Sequence, residues 1–282
     1  MSASKHTWVN GRPQAEISVF DRGLAFGDGL FETIRIGRDS IPLLDYHLAR
    51  LQAGAGRLGI AIDVDTVRAD IAAAQAVAAR TVQPVWRLKY IVTRGNSDSG
   101  YTPPPKSSPN RIMHLLPYDA GLSRLLQQQG VKTASCQWRL SEQPALAGIK
   151  HLNRLDQIKA RQELVDSDCY EGFMRDQRGH YIEGTMSNLF AVSRNNELVT
   201  PSIDGAGVAG VMRQVIMDEL APAIDMPCYN ADIVRMTEFA EVFISNAMIG
   251  IVPVIAVDKT RFAIGPVTRQ LQQQLQQRQL MP

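Results

Sequence analysis

Cysteine is scarce in this chain of 282 residues: three thiols, Cys136, Cys169 and Cys228, lie far apart and outside any CxxC spacing. An odd, scattered set excludes a disulfide framework and points to reduced thiols in a cytoplasmic setting. No run of about 18 apolar residues occurs, which excludes a helical membrane span. Residues 1–6 lack the apolar core of a signal peptide. Charge of one sign is also missing. Thirty basic and 28 acidic residues leave a net charge of +2, too weak a field to draw the chain to nucleic acid or to a membrane. The five histidines, His6, His47, His114, His151 and His180, follow neither HxxxH nor HExxH spacing, so no metal site is expected.

Apolar material is plentiful, at 45% of residues. A single core stops growing at roughly 250–300 residues, so a chain of this length is expected to form two lobes. The stretch Pro117-Tyr118-Asp119-Ala120-Gly121 is the candidate linker. It separates a small N-terminal lobe, residues 1–118, from a larger lobe, residues 119–282. Asn10-Gly11 signals a tight hairpin after Thr7-Trp8-Val9. A strand over 33–36 is expected to turn at Gly37-Arg38-Asp39 and to resume at Ile41. Asp45 suits the cap of a helix whose Leu48, Leu51, Ala55 and Leu58 share a face and which stops at Gly59. Asp65 opens a second helix with Val67, Ile71, Ala74 and Ala78 inward. Trp86, Leu88, Tyr90 and Val92 fall on one face of a strand, and Arg87 and Lys89 on the other. Residues 94–110 show no periodicity, and a loop that long is more often functional than filler.

In the second lobe, a strand is expected over 130–136. A helix over 153–165 places Leu155, Ile158 and Leu164 or Val165 inward. One hairpin turns at Gln177-Arg178-Gly179 and another at Asn195-Asn196. A helix over 212–220 follows the glycine-rich residues 205–210, with short strands at 242–245 and 252–257. Residues 268–280 carry a narrow stripe of Leu271 and Leu275. The mixture is α+β rather than regular βαβ alternation.

The segment Gly148-Ile149-Lys150-His151-Leu152-Asn153-Arg154-Leu155 sets one lysine behind small apolar residues. Alone, Lys150 reads as a surface lysine at a helix start. Behind Ala145-Leu146-Ala147-Gly148-Ile149, its amine is expected to be partly desolvated, which lowers its pKa and frees the nucleophile. Farther on, Glu183 closes a β segment in Tyr181-Ile182-Glu183-Gly184-Thr185. Such a lysine can form a Schiff base with the aldehyde of pyridoxal 5'-phosphate, while a carboxylate keeps the pyridine nitrogen protonated. The run Gly207-Val208-Ala209-Gly210-Val211-Met212-Arg213 enters a helix, where exposed amides suit a phosphate. Arg50 could bring a guanidinium fork to the same anion, or stand as an ordinary exposed helix charge. Gly27 and Gly29 punctuate a loop over 21–33 and suggest unusual backbone angles.

Together these segments resemble the fold-type IV pyridoxal phosphate enzymes, a group with branched-chain aminotransferases, D-amino acid aminotransferases and aminodeoxychorismate lyases. The resemblance runs collinearly from Asp21-Arg22-Gly23 and Phe26-Gly27-Asp28-Gly29 through His47 and Arg50, Lys150, Glu183-Gly184-Thr185 and Asn188-Leu189-Phe190. It continues through Gly210-Val211-Met212-Arg213 to Ser245-Asn246-Ala247 and Val252-Pro253-Val254. Within the group, residues 148–157 and Ser245-Asn246-Ala247 are most similar to the lyases. The lyase loop pattern Arg-Gly-x-Gly-x-Arg-Gly-Tyr reads here Arg94-Gly95-Asn96-Ser97-Asp98-Ser99-Gly100-Tyr101, so Ser99 replaces its second arginine.

The resemblance implies a two-lobed fold, a small α/β lobe followed by a larger β-barrel-like, cofactor-binding lobe with helices. It implies that Lys150 carries the cofactor and acts as acid and base, and that Glu183 pairs with the ring nitrogen. Arg50 and the amides of Val211 and Met212 would hold the phosphate, with Asn188, Asn246 and Ala247 adding contacts. Phe31, Arg94 and Tyr101 are the implied substrate residues. A homodimer with its site near the subunit interface is implied as well. The implied reaction converts 4-amino-4-deoxychorismate into 4-aminobenzoate and pyruvate, a step of folate biosynthesis. A D-amino acid or (R)-selective aminotransferase is the alternative, and a fold that has lost catalysis and only binds a partner is the third reading.

Overall fold

The computed structural model describes residues 5–98 and 100–281. They form two compact units, the first of Met1–Asp119 with Ile149–Asn153, the second of Ala120–Gly148 with Arg154–Met281. Order along the chain alone would have put residues 149–153 in the second lobe; the fold returns them to the first.

The first unit holds strands β1 (His6–Val9), β2 (Gly29–Gly37), β3 (Val85–Thr93) and β4 (Asn110–Pro117) in the order β1-β4-β3-β2. All three pairings are antiparallel. Its helices are α1 (Arg22–Phe26), α2 (Leu44–Leu58) and α3 (Val64–Ala79). The alternation read in β3 holds: Trp86, Leu88, Tyr90 and Val92 are buried, while Arg87 and Lys89 face outward. They pack with Leu48, Leu51 and Ala55 of α2 and with Val67, Ile71, Ala74 and Ala78 of α3. Truncating Leu88 in such a core would cost about 2–5 kcal/mol. Helix α2 ends as read, on Gly59 at φ 64.

Five local readings shift. Helix α2 starts at Leu44 with Asp45 in its first turn and no side-chain cap. The cap of α3 is Asp63, whose carboxylate accepts from the amides of Asp65 and Thr66. Asn10 and Gly11 both take positive φ, as a tight hairpin turn demands, yet the return leg is a single Val9–Arg12 bridge, and β1 pairs with β4 instead. Residue Ile41 starts no strand. The 21–33 loop is largely regular: Asp21 caps α1 by accepting from Leu24 N–H, Gly27 ends it at φ 67, and β2 begins at Gly29.

The second unit contains α4 (Ala120–Gln129), β5 (Val131–Arg139), α5 (Leu155–Gln162), β6 (Glu171–Arg175), β7 (Tyr181–Gly184), β8 (Asn188–Ser193) and β9 (Leu198–Thr200). It continues with α6 (Val211–Val215), β10 (Cys228–Asn230), β11 (Phe239–Asn246), β12 (Gly250–Val257), β13 (Thr260–Arg261) and α7 (Pro266–Gln277). Its strands run β10-β9-β8-β11-β12-β5-β6-β7, and β7 also pairs with β8, closing a barrel-like ring. Both expected hairpins form, β6–β7 and β8–β9. The closing pair is Glu183 opposite Asn188. The α+β class and the barrel-like second sheet match the expectation. Helix α5 buries only part of the set assigned to this stretch. Leu155 and Ile158 are 72% and 52% exposed; Ala160 is buried in the helix, and Leu164, just past its end, is buried as read. A π-helical turn, Ile216–Leu220, continues α6. Among the described residues, no helix is long and apolar enough to cross a membrane.

Candidate active site

In the first unit, Lys150 lies on a short extended segment docked against the start of β2. Phe31 N–H donates to Lys150 O at 3.0 Å and Leu152 N–H donates to Gly29 O at 2.9 Å. Leu30 bridges His151, and Asn153 Nδ2 donates to Gly27 O at 3.2 Å. Gly29 makes this approach possible: a Cβ there would stand 2.4 Å from Val92 O and 2.8 Å from Leu152 Cδ1. The amine of Lys150 sits 4.4 Å from the centroid of the Phe31 ring, a cation–π contact. A second amine, Lys89 Nζ, is 5.0 Å from the same centroid. Burial, with the charge of Arg87, lowers the Lys89 pKa.

Behind Lys150 is a buried charge cluster. Glu32 of β2 takes Arg50 Nε on Oε1 at 2.8 Å and Arg50 Nη2 on Oε2. The same Oε2 lies 2.7 Å from His47 Nδ1. Burial raises the Glu32 pKa, but Arg50 and His47 together outweigh it and bring it down to about 2. For His47, burial is the largest effect and lowers the pKa; the charges of Arg50 and Lys150 add to it, against the bond to Glu32. A carboxylate can only accept, so His47 carries its proton on Nδ1. Arg50 is therefore no exposed helix charge.

Arg94, read as a substrate residue, is engaged within its own unit. Its Nε and Nη2 donate to Asp28 at 2.7 and 3.0 Å, and Nη1 and Nη2 donate to the carbonyls of Gly59 and Leu58 at 2.8 and 2.7 Å. Those carbonyls are among the last of α2, which have no helical donor. Arg94 thus caps a helix and braces a loop. Arg22 completes the brace, donating to Asp28 at 2.9 Å and to the carbonyls of Gly100 and Tyr101 at 2.5 and 3.1 Å. Tyr101 is 88% exposed, its ring 5.4 Å from that of Phe26. Ser99 lies outside the described residues.

In the second unit, Glu183 is 4% exposed and accepts the Val208 amide at 2.8 Å. Gln157 Nε2 stands 3.5 Å from its other oxygen. Asn188, its partner across the barrel seam, donates to Val208 O at 2.9 Å. The Val208 peptide is thus gripped at both ends. Gly148 pins the same loop from the other side, through Gly148 N–H to Gly207 O at 2.9 Å and Ala209 N–H to Gly148 O at 3.1 Å. This loop delivers Gly210, the cap of α6, and a Cβ on Gly210 would fall 1.9 Å from Asn188 Oδ1. Amides in the first turn of a helix, here Val211 and Met212, have no acceptor within the helix. Ser245 Oγ is buried on β11, opposite Asn188, with no hydrogen-bond partner among the described residues. Asn246 holds its own turn, accepting from Met248 and Ile249 at 2.8 and 2.9 Å and donating to Met186 O at 3.0 Å, with Ala247 inside that turn. First-turn amides, a spare hydroxyl and a side-chain-free cradle fit a phosphate, and the buried carboxylate fits a cationic ring nitrogen. A separate cavity of about 300 Å³ in this unit is lined by Glu142, Asp176, Asp204 and Asp232 with Arg178. Its acidic wall is unsuited to an anionic substrate.

Sequence reasoning missed Glu32, His47 as its partner, and Lys89. The alternation of β3 set Lys89 apart from the core, which was a usable signal. Nothing local linked Glu32 to Arg50.

The amino-transferase class IV family model matches residues 29–257. The aminodeoxychorismate lyase of Vibrio harveyi is 30% identical over 270 residues, covering 94% of this chain and 97% of that protein. The crystal structure of 4-amino-4-deoxychorismate lyase from Pseudomonas aeruginosa is 42% identical, with a TM-score of 0.89, covering 98% of this chain and all of that one. A hypothetical aminotransferase from Mycobacterium tuberculosis, solved with pyridoxal phosphate bound, shares the fold at 18% identity and a TM-score of 0.82, with 97% and 98% coverage. A match spanning most of the chain, on a fold that presents Lys150 and Glu183 as described, makes this chain a member of the amino-transferase class IV family.

Proposed function

We propose that this chain is a pyridoxal-phosphate-dependent 4-amino-4-deoxychorismate lyase that forms 4-aminobenzoate and pyruvate. The observation that carries the reading is the 42% identity to the Pseudomonas aeruginosa lyase over 98% of the chain, with a TM-score of 0.89. The half-buried setting of Lys150 and the buried one of Glu183 support it.

When bound, the cofactor supplies an electron-withdrawing ring that accepts the electron pair left at the substrate's amine-bearing carbon. The chain's part is placement and proton movement. Lys150 would hold the cofactor through its aldehyde and give way to the substrate amine. Its freed amine then takes the proton from the amine-bearing carbon and returns one to the departing enolpyruvyl group, which leaves as pyruvate. The six-membered ring of the substrate becomes aromatic, so the step does not reverse. Glu183, fixed by the Val208 amide, keeps the ring nitrogen protonated. Arg50 and the first-turn amides Val211 and Met212 offset the phosphate charge. Phe31 packs against the reacting amine. We include a homodimer in the proposal, to be checked by light scattering.

The deciding experiment gives the purified holoenzyme aminodeoxychorismate with no keto acid, then D-alanine with 2-oxoglutarate. Aminobenzoate in the first incubation supports the lyase. Keto-acid-dependent turnover in the second, with no aminobenzoate in the first, replaces it with a D-amino acid aminotransferase.

A further inference from the structure

We infer that Glu32 is a positioning residue for Arg50, fixing the plane and edge of the guanidinium that meets the cofactor phosphate; this rests on the assignment of Arg50 to that phosphate. Arginine loses rotamer entropy whenever it is held in one pose. Glu32 removes that freedom in advance. One carboxylate engages Nε and Nη2 together, the fork geometry that fixes a guanidinium plane. The carboxylate cannot turn in its place. It lies on β2, where Glu32 is in register with Tyr90 of β3, it is 1% exposed, and His47 Nδ1–H holds Oε2 at 2.7 Å.

Charge alone argues against placing an acid here. A carboxylate beside an anion site weakens the attraction of the arginine for its ligand. A buried ion pair is also a poor source of net stability, because desolvation offsets the Coulomb gain. Orientation is the function that accounts for both the cost and the two-point geometry. His47 and Arg50 sit one turn apart on α2, so Glu32 also ties that turn to the strand bearing Phe31 and, through Phe31 N–H, to the backbone of Lys150.

The test measures binding rather than turnover. Cofactor-free wild type, Glu32→Gln, Arg50→Ala and the double variant are titrated with pyridoxal phosphate and with pyridoxal, which has the same ring and aldehyde but no phosphate. Attachment to Lys150 is followed by absorbance and by the mass of the borohydride-reduced adduct. Glu32→Gln puts an amide donor against the donors of Arg50 and His47. It is expected to reduce the preference for the phosphorylated form about 10-fold to 100-fold, the worth of a charged hydrogen bond. Pyridoxal binding should move less than about twofold on that scale, and adding Glu32→Gln to Arg50→Ala should change the preference no further. A preference kept in Glu32→Gln but lost in Arg50→Ala overturns the positioning role and leaves the phosphate assignment standing. A preference kept in Arg50→Ala removes the assignment and the inference with it. If Glu32→Gln does not fold, Glu32→Asp takes its place. Its shorter carboxylate keeps the charge and cannot reach both partners, so an unchanged preference there also overturns the role.

Discussion

The two units prepare their chemistry by opposite means. Around Lys150 the setting is made of charged side chains: Glu32, His47, Arg50 and Lys89 converge from two strands and a helix. Around Glu183 it is made of backbone, with Val208 held by its own amide and carbonyl and with glycines wherever a Cβ would intrude. A side-chain setting fails through charge, and therefore through pH and single substitutions. A backbone setting fails chiefly through bulk. The same local energy can thus be lost along different experimental axes.

The sharpest break in that contrast is Lys150→Ala. It should abolish reducible covalent attachment and lower kcat by about 10³-fold or more, with folding intact by circular dichroism; near-normal turnover would end the assignment. Acid comes next. Arg50 and His47 depress the Glu32 pKa to about 2 in the folded protein, against 4.5 for an ordinary glutamate. Its stabilisation is therefore present above about pH 4.5 and lost as pH falls toward 2, a difference of roughly 3 kcal/mol. The lowered pKa of buried His47 acts in the same sense, beginning below its ordinary 6.5. Urea unfolding between pH 7 and 3 should show a steep decline that Glu32→Gln flattens, and a variant with the wild-type slope would contradict the buried-pair account.

Glu183→Ala is expected to retain cofactor while losing about 10²-fold in kcat, since one charge-assisted contact of a few kcal/mol is removed; a large loss of cofactor with unchanged kcat would reverse the assigned role. The smallest effect tests the backbone side. Gly210→Ala should cost about 1–2 kcal/mol through displacement of Asn188, read as a lower Tm with no change in the pH profile. A pH-dependent loss there would blur the distinction between the units.

Much of the first unit was legible because its signals are local. The alternation in β3 and the i, i+3, i+4 spacing in α2 and α3 need no knowledge of partners. Helix α4 escaped notice because its apolar residues do not mark one face: Leu122 and Leu125 are about half exposed, while Ala120 and Ser123 are buried. The same physics misled the reading of α5, where apolar Leu155 and Ile158 lie outward. Lys150, Glu183 and the 205–210 loop stood out as motifs. Nothing local tied Arg94 to Asp28 and the end of α2, partners that are distant in sequence. Glu32 was silent for the same reason, since strand and helix must first pack before its carboxylate meets Arg50.

The segment Ile149–Asn153 has a consequence for how this molecule can be made. Strand β2 is the last strand of its sheet, and its first residues gain their outer hydrogen bonds from Phe31 to Lys150 and from Leu152 to Gly29. During synthesis that border stays bare until residue 153 has left the ribosome. A fragment cut at residue 119 would keep it bare for good, an open template for pairing with other chains. Residues 149–153 therefore shield a growing polypeptide from its neighbours as well as presenting an amine.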